Sequence, residues 1–315
     1  MKTLPWLLRR EYWENKGMLV WTPLVVAALI IIGAVSVANK LVNSQKVILF
    51  QNNLTELTPQ MQQTLENIVT ANYVFMTIPF FGLMAIMAFF YCLGSLHDER
   101  KDRSILFWKS LPVSDGLTVG SKLVISIVVF PLITLLVSML TSLIVMLVMG
   151  IGLLFKGVNL FGVILSLPAL YLVPLQLLAL LPVYLLWAIP TAGWLMFISS
   201  AAPGRPFLWA IALPLLFYLI MALANWVLDL NIDVKWIGKY IWTPAYMGFI
   251  PGGWFFSNPE SLQTMHTLSG RDIKMDVVLG LSWQALQNLR PWLEAAVGAG
   301  LLYAATRLRH LRSEI

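Results

Sequence analysis

The 315 residues are 59% apolar and only 11% charged, with a net charge of +6 and a single cysteine. Soluble domains run near 45–50% apolar and about 25% charged, so a water-exposed globular surface cannot be built from this composition. The Lys and Arg lie in short clusters beside apolar runs, a pattern of membrane orientation and not of nucleic-acid binding, and Cys92, alone inside an apolar run, forms no internal disulfide.

The chain opens with an amphipathic stretch, residues 1–17. Within it Trp6, Tyr12 and Trp13 read as membrane-facing rings, and Arg9, Arg10 and Lys16 as partners for lipid headgroups. The apolar run 18–38 follows. Ser36-Val37-Ala38 has the small-x-small look of a signal-peptidase site, but the run exceeds the roughly 7–15 residues of a signal core, and Glu11 and Glu14 precede it. It reads as an uncleaved first span.

Further apolar runs at 73–96, 123–152, 175–200, 207–229 and 291–308 have the length of membrane-crossing helices, and none alternates with the period of two that a barrel requires. The expected fold is all-α, a single polytopic membrane domain with six transmembrane helices and an N-terminal interfacial helix. Six crossings leave both termini on one side. Thirteen of the 21 Lys and Arg fall in short loops and tails on that side, which makes it cytoplasmic. Proline at 182 and 190 is expected to kink the fourth span, and Pro131 the third, because each removes a helical hydrogen bond. A short outer-leaflet segment, about 160–173, precedes the fourth.

Two extracytoplasmic loops follow from this topology, 39–72 and 230–290. The second crowds Trp236, Tyr240, Trp242, Tyr246, Phe249, Trp254, Phe255 and Phe256 together. They read either as rings anchored at headgroup level or as a lid over an exit path. Ionisable groups are nearly absent from the spans, which argues against proton or sodium coupling. Asn225, Asp229 and Glu294 are the candidate pathway contacts, with helix caps or headgroup partners as the alternative.

No catalytic residue is nominated, for neither H-E-x-x-H nor G-x-S-x-G occurs, and His97, His266 and His310 are too scattered to suggest a metal site. The string Gly116-Leu117-Thr118-Val119-Gly120-Ser121-Lys122 falls one residue short of a phosphate-binding glycine loop and leads directly into a span. No cofactor is expected on this chain.

The loop 97–116 carries the most information. A dense mixed-charge run from His97 is followed by a short apolar helix from about Ser104 to Ser110; Pro112 stops it, and Ser114 or Asp115 caps the third span. Its Ile105, Leu106, Phe107 and Trp108 need either headgroups or a protein groove, and the residues alone leave both open.

That charged run, followed by Ser104-Ile105-Leu106-Phe107-Trp108-Lys109-Ser110-Leu111-Pro112-Val113-Ser114-Asp115, resembles the cytoplasmic loop of ABC-2-type exporter permeases, the membrane subunits of ATP-binding-cassette exporters. Leu7 to Gly17 is similar to the same family's interfacial helix, so the resemblance covers about the first 125 residues. It implies a multi-pass permease in a bacterial cytoplasmic membrane that exports a lipid-like, amphipathic or peptide substrate. ATP and Mg would sit on a separate cassette ATPase, and a second permease copy, identical or related, would complete the complex among membrane lipids. Asp98, Glu99, Arg100, Asp102, Arg103, Ile105, Phe107, Trp108, Lys109 and Pro112 would then form a coupling helix that docks into the ATPase. A membrane anchor or assembly protein without transport is the other reading of the same topology.

Overall fold

Peptide groups inside hydrocarbon must find their partners locally, so a chain this apolar is driven into helices. A computed structural model describes residues 3–43, 59–102, 113–228, 238–257, 263–264 and 274–311, and all regular structure among the described residues is helical. Helix α1 (Thr3–Glu14) leads through a π-helical turn (Gly17–Trp21) into α2 (Thr22–Asn43). Helix α3 (Pro59–Ser95) breaks at Leu96 and resumes as α4 (His97–Lys101). Helix α5 (Asp115–Val124), a π-helical turn (Ile125–Val129) and α6 (Phe130–Leu154) form one long rod. The Ser114 hydroxyl caps it by accepting from the Leu117 amide at 3.3 Å.

Four helices follow, α7 (Phe161–Ser166), α8 (Ala169–Ala179), α9 (Leu181–Ala201) and α10 (Pro206–Leu228). A π-helical turn (Gly238–Trp242) then leads into α11 (Thr243–Tyr246), followed by α12 (Gly253–Ser257), α13 (Met275–Ala285) and α14 (Leu289–Leu311).

Among the described residues, five helical stretches are long and apolar enough to cross a membrane: α2 with the turn before it, α3, the α5–α6 rod, α8 with α9, and α10. Helix α14 carries Arg290, Glu294, Arg307 and Arg309 and falls outside that set, yet it makes the most extensive helix pair in the bundle, with α9. The pair depends on two glycines. A Cβ on Gly193 would stand 2.4 Å from the Gly298 carbonyl oxygen, and one on Gly298 would stand 2.6 Å from the Pro190 Cα. Small residues here let the two backbones touch, which is how helices associate when burial from water supplies no drive.

The elements depart from the sequence expectations in three places. Helix α3 begins at Pro59 and not near 73, so much of the polar stretch expected as loop continues the helix. Its Gln, Leu and Glu are good helix formers, and Val69 and Tyr73 pack with Leu167, Leu170 and Val173. The fourth apolar stretch breaks at Leu180. Pro182 therefore opens α9 in the first helical turn, where a missing N–H costs nothing, and does not kink it. The α5–α6 rod, where a kink is expected at Pro131, carries a π-helical turn just ahead of that residue, which is no departure in kind.

The third departure is in the aromatic segment. Phe249, Trp254 and Phe255, expected at headgroup level, are buried in the core because residues 243–257 fold back into the bundle. The Thr191 hydroxyl donates to the Pro244 carbonyl and accepts from the Gly248 amide at 3.0 Å, and the Trp187 indole donates to the Met247 carbonyl at 3.2 Å. The Tyr246 hydroxyl donates to the Ala210 carbonyl, and the Trp254 indole donates to the Ser282 hydroxyl at 3.1 Å. These bonds tie two short helices, α11 and α12, and the turn between them to the bundle. Trp236 and the Phe256 side chain lie outside the described residues.

The glycine crossing makes a direct test. Gly298→Leu should destabilise the purified protein by at least the roughly 1–3 kcal/mol of an overpacked core, whereas Gly300→Leu, where an added Cβ meets nothing within 4 Å, should stay within about 0.5 kcal/mol. Thermal unfolding in detergent reads the difference.

Candidate functional site at the charged end of the bundle

Helix α1 is amphipathic in two directions. Leu7 and Glu11, one turn apart, are buried against the bundle, while Trp6 and Trp13 are 67% and 56% exposed. The Arg9 guanidinium lies 5.9 Å from the Trp6 ring, and the Lys16 ammonium lies 4.8 Å from Trp13 and 6.0 Å from Trp21, giving an outward rim of rings and cations. Tyr12 and Arg10 do not belong to that rim. Tyr12 packs against the core, and Arg10 pairs with Glu14 at 2.6 Å and stands 4.0 Å from Glu99.

Glu11 enters a chain of buried charges. One carboxylate oxygen lies 2.8 Å from the Lys122 ammonium, and the other accepts from the Tyr91 hydroxyl at 3.0 Å. Lys122 lies 3.1 Å from Glu99, whose other oxygen is 2.6 Å from the Arg309 guanidinium. Arg309 reaches on to Asp115 at 3.0 Å. Glu11 is 1% exposed and Lys122 4%, so these are buried ion pairs and not surface contacts. With Arg10 beside them, three acids face three bases. No excess charge is sealed in, and every charge is held by a second one.

The junction joins elements far apart in sequence. Glu11 comes from α1, Tyr91 from α3, Glu99 from α4, Asp115 and Lys122 from α5, and Arg309 from α14. The helix termini add to it, with Asp115 in the first turn of α5 and Arg309 in the last turn of α14, each on the side its macrodipole favours. Helix α9 is tied in separately. Arg100 donates to the Ser200 carbonyl at 2.7 Å and to the Ala202 carbonyl, closing the end of α9. The Ser199 hydroxyl accepts from the amides of Leu96 and His97 at 3.1 and 3.0 Å, where the α3 ladder is interrupted.

The residues expected to meet an ATPase thus divide. Glu99 and Arg100 are turned inward and bonded within the chain, while Asp98 and Asp102 are exposed. Arg103, Ile105, Phe107, Trp108, Lys109 and Pro112 lie outside the described residues. Among the pathway candidates, Glu294 pairs with Arg290 at 2.7 Å, and that guanidinium sits 4.5 Å from the Tyr240 ring. Asn225 is half-buried near the far end of α10, and Asp229 lies outside the described residues.

Sequence reasoning missed Glu11, Tyr91, Lys122 and Arg309 as a unit. Lys122 and Arg309 count there among the basic residues that orient the chain, although Glu11 beside Leu7 on one helix face, just ahead of an apolar run, is a signal of an inward acid.

Removing Lys122 would leave two carboxylates buried without their shared cation. Lys122→Met should cost about 3–5 kcal/mol, while Glu14→Gln, at an exposed pair, should cost under about 1 kcal/mol. Tyr91→Phe, which removes one neutral donor to a carboxylate, should fall between them at about 1.5–3 kcal/mol. Denaturation midpoints of the three variants check the order. Comparison with family models, curated proteins and solved structures finds no match to this chain.

Proposed function

We propose that the chain is the permease subunit of an ABC-2-type exporter, crossing a bacterial cytoplasmic membrane six times with both termini in the cytoplasm. Helix α14 serves as the sixth crossing, held beside α9 by the glycine contact. The charged end is the cytoplasmic end, because α1, the exits of α3, α9 and α14 and the start of α5 meet there together with most of the described basic residues. ATP and Mg belong to a separate cassette ATPase, and a second permease copy supplies the other wall of the path. The cargo is lipid-like, amphipathic or a peptide, in keeping with the nearly uncharged spans.

The observation that carries this reading is the position of α4. It begins the segment that resembles a coupling loop, and it is bonded through Glu99 to α5 and α14 and through Arg100 to the end of α9, with Lys122 relaying it to α1. A push on α4 from below would therefore be delivered to several helices at once. Such movement of packed helices as bodies is a common way to open or close a path.

The test is purification of the native complex. A cassette ATPase should copurify, and Phe107→Ala with Trp108→Ala should reduce its recovery about tenfold or more while leaving membrane insertion intact. A chain that brings down no ATPase, and whose double variant behaves as wild type, would instead be a membrane anchor without transport.

A further inference from the structure

A cavity of about 440 Å³ lies away from the charged junction, enclosed by α3, α6, the α8–α9 break, the turn at residues 250–252 and α13. Its walls include Val74 and Phe81 of α3, Leu135 of α6, Leu181 of α9 and Val278 of α13, all hydrocarbon. Of the three lining residues with polar groups, Tyr184 keeps a buried hydroxyl without a partner and the other two have spent theirs elsewhere. The Thr77 hydroxyl donates to the Val74 carbonyl at 2.6 Å, and the Trp254 indole donates to Ser282. A cavity of this lining excludes water and takes apolar matter; one of about 150 Å³ already holds a benzene ring, and this one is roughly three times larger.

Its shape and opening narrow the class of occupant. Val74 and Phe81 are separated along α3 by about 10 Å at 1.5 Å per residue, so the space is long. On one side it is bordered by Ile78 and Ile250, which are 58% and 39% exposed, and by exposed Gly82. At about 20 Å from Ser95 along α3, Gly82 opens into the zone that hydrocarbon occupies around a spanning helix. A Cβ on Gly82 would meet nothing within 4 Å, so no packing demand explains the missing side chain there, and its absence leaves the border open.

The wall opposite α3 is built to keep its form. Gly252 has φ +80°, the left-handed region that glycine favours, and a Cβ on Gly253 would stand 2.7 Å from the Met247 carbonyl oxygen. With Thr191 and Trp187 bonded to the chain just before this turn, the cavity is preformed.

We infer that the cavity is a side-entry site for one hydrocarbon tail of a membrane lipid or fatty acid, entering from the bilayer between Ile78, Gly82 and Ile250 while its headgroup stays outside. The one unspent polar side-chain group in the lining, the Tyr184 hydroxyl, could not replace the hydration of a headgroup, which excludes the polar end. The inference does not depend on the transport reading, since the site lies within one copy of the chain.

The purified full chain, reconstituted in lipid nanodiscs, is photolabelled with a diazirine-bearing phosphatidylethanolamine and, separately, with a diazirine-bearing free fatty acid, and the adducts are mapped by mass spectrometry. Saturable labelling on peptides containing Leu135 or Val278, competed by unlabelled lipid of the same chain length, is expected from at least one probe, and the pair identifies which lipid class supplies the tail. Gly82→Phe should cut that labelling about tenfold without changing labelling of the exposed α10 residues Leu216 and Leu219. Val278→Phe, which fills the space from the other side, should do the same if Gly82→Phe does not fold. Labelling of the inner wall by neither probe, or labelling as strong as on α10 that does not saturate and ignores both variants, overturns the inference.

Discussion

One lysine holds the charged end together. Lys122 stands between Glu11 and Glu99, carboxylates from helices that the chain visits more than 80 residues apart, and among the described residues its ammonium is the cation in ion-pair contact with Glu11. Away from water such a charge is costly unless its partners are close on every side, and here they are. Because Glu99 also binds Arg309, and Arg309 binds Asp115, the placement of Lys122 fixes where α1, α4, α5 and α14 meet. Replacing the whole set with apolar residues could leave stability unharmed; what the charges contribute is a single permitted arrangement, since a shifted helix would strand a charge.

The rest of the bundle works by a different rule. Between α9 and α14 there are no ion pairs to set the register, only the mutual fit of Gly193 and Gly298 against backbone atoms. Helix α10 stands at the other extreme, with large apolar side chains exposed along most of its length. Close contact on one side and free hydrocarbon surface on the other divide the molecule into a bonded block and a helix whose surface is left for lipid or a further chain to cover.

Much of this was legible in the sequence where one helix face or one local bond decides the outcome. The apolar runs, the Ser114 cap and the outward Trp6 and Trp13 follow from composition and spacing alone. The inward turn of Glu99 and Arg100 was not legible, because a mixed-charge run does not say which of two adjacent residues will find a partner 100 or 200 positions away. The aromatic segment misled for a related reason. Rings that sit at headgroup level and rings that fill a core have the same composition, and only the bonds from Thr191 and Trp187 separate the two. The break at Leu180 has no turn residue to announce it, and nothing local in Leu, Ala and Pro distinguishes a helix that bends from one that ends.

The infolded stretch 243–257 also bears on how the protein is made. The turn between its two short helices needs partners for its carbonyls and amides away from water, and the α9 side chains that supply them are synthesised some fifty residues earlier. Ser282 on α13 comes later in the chain and accepts from the Trp254 indole on the other side of the stretch. Helix α9 thus precedes the aromatic turn in chain order, so a nascent chain holds the donors and acceptors of α9 before the segment that uses them.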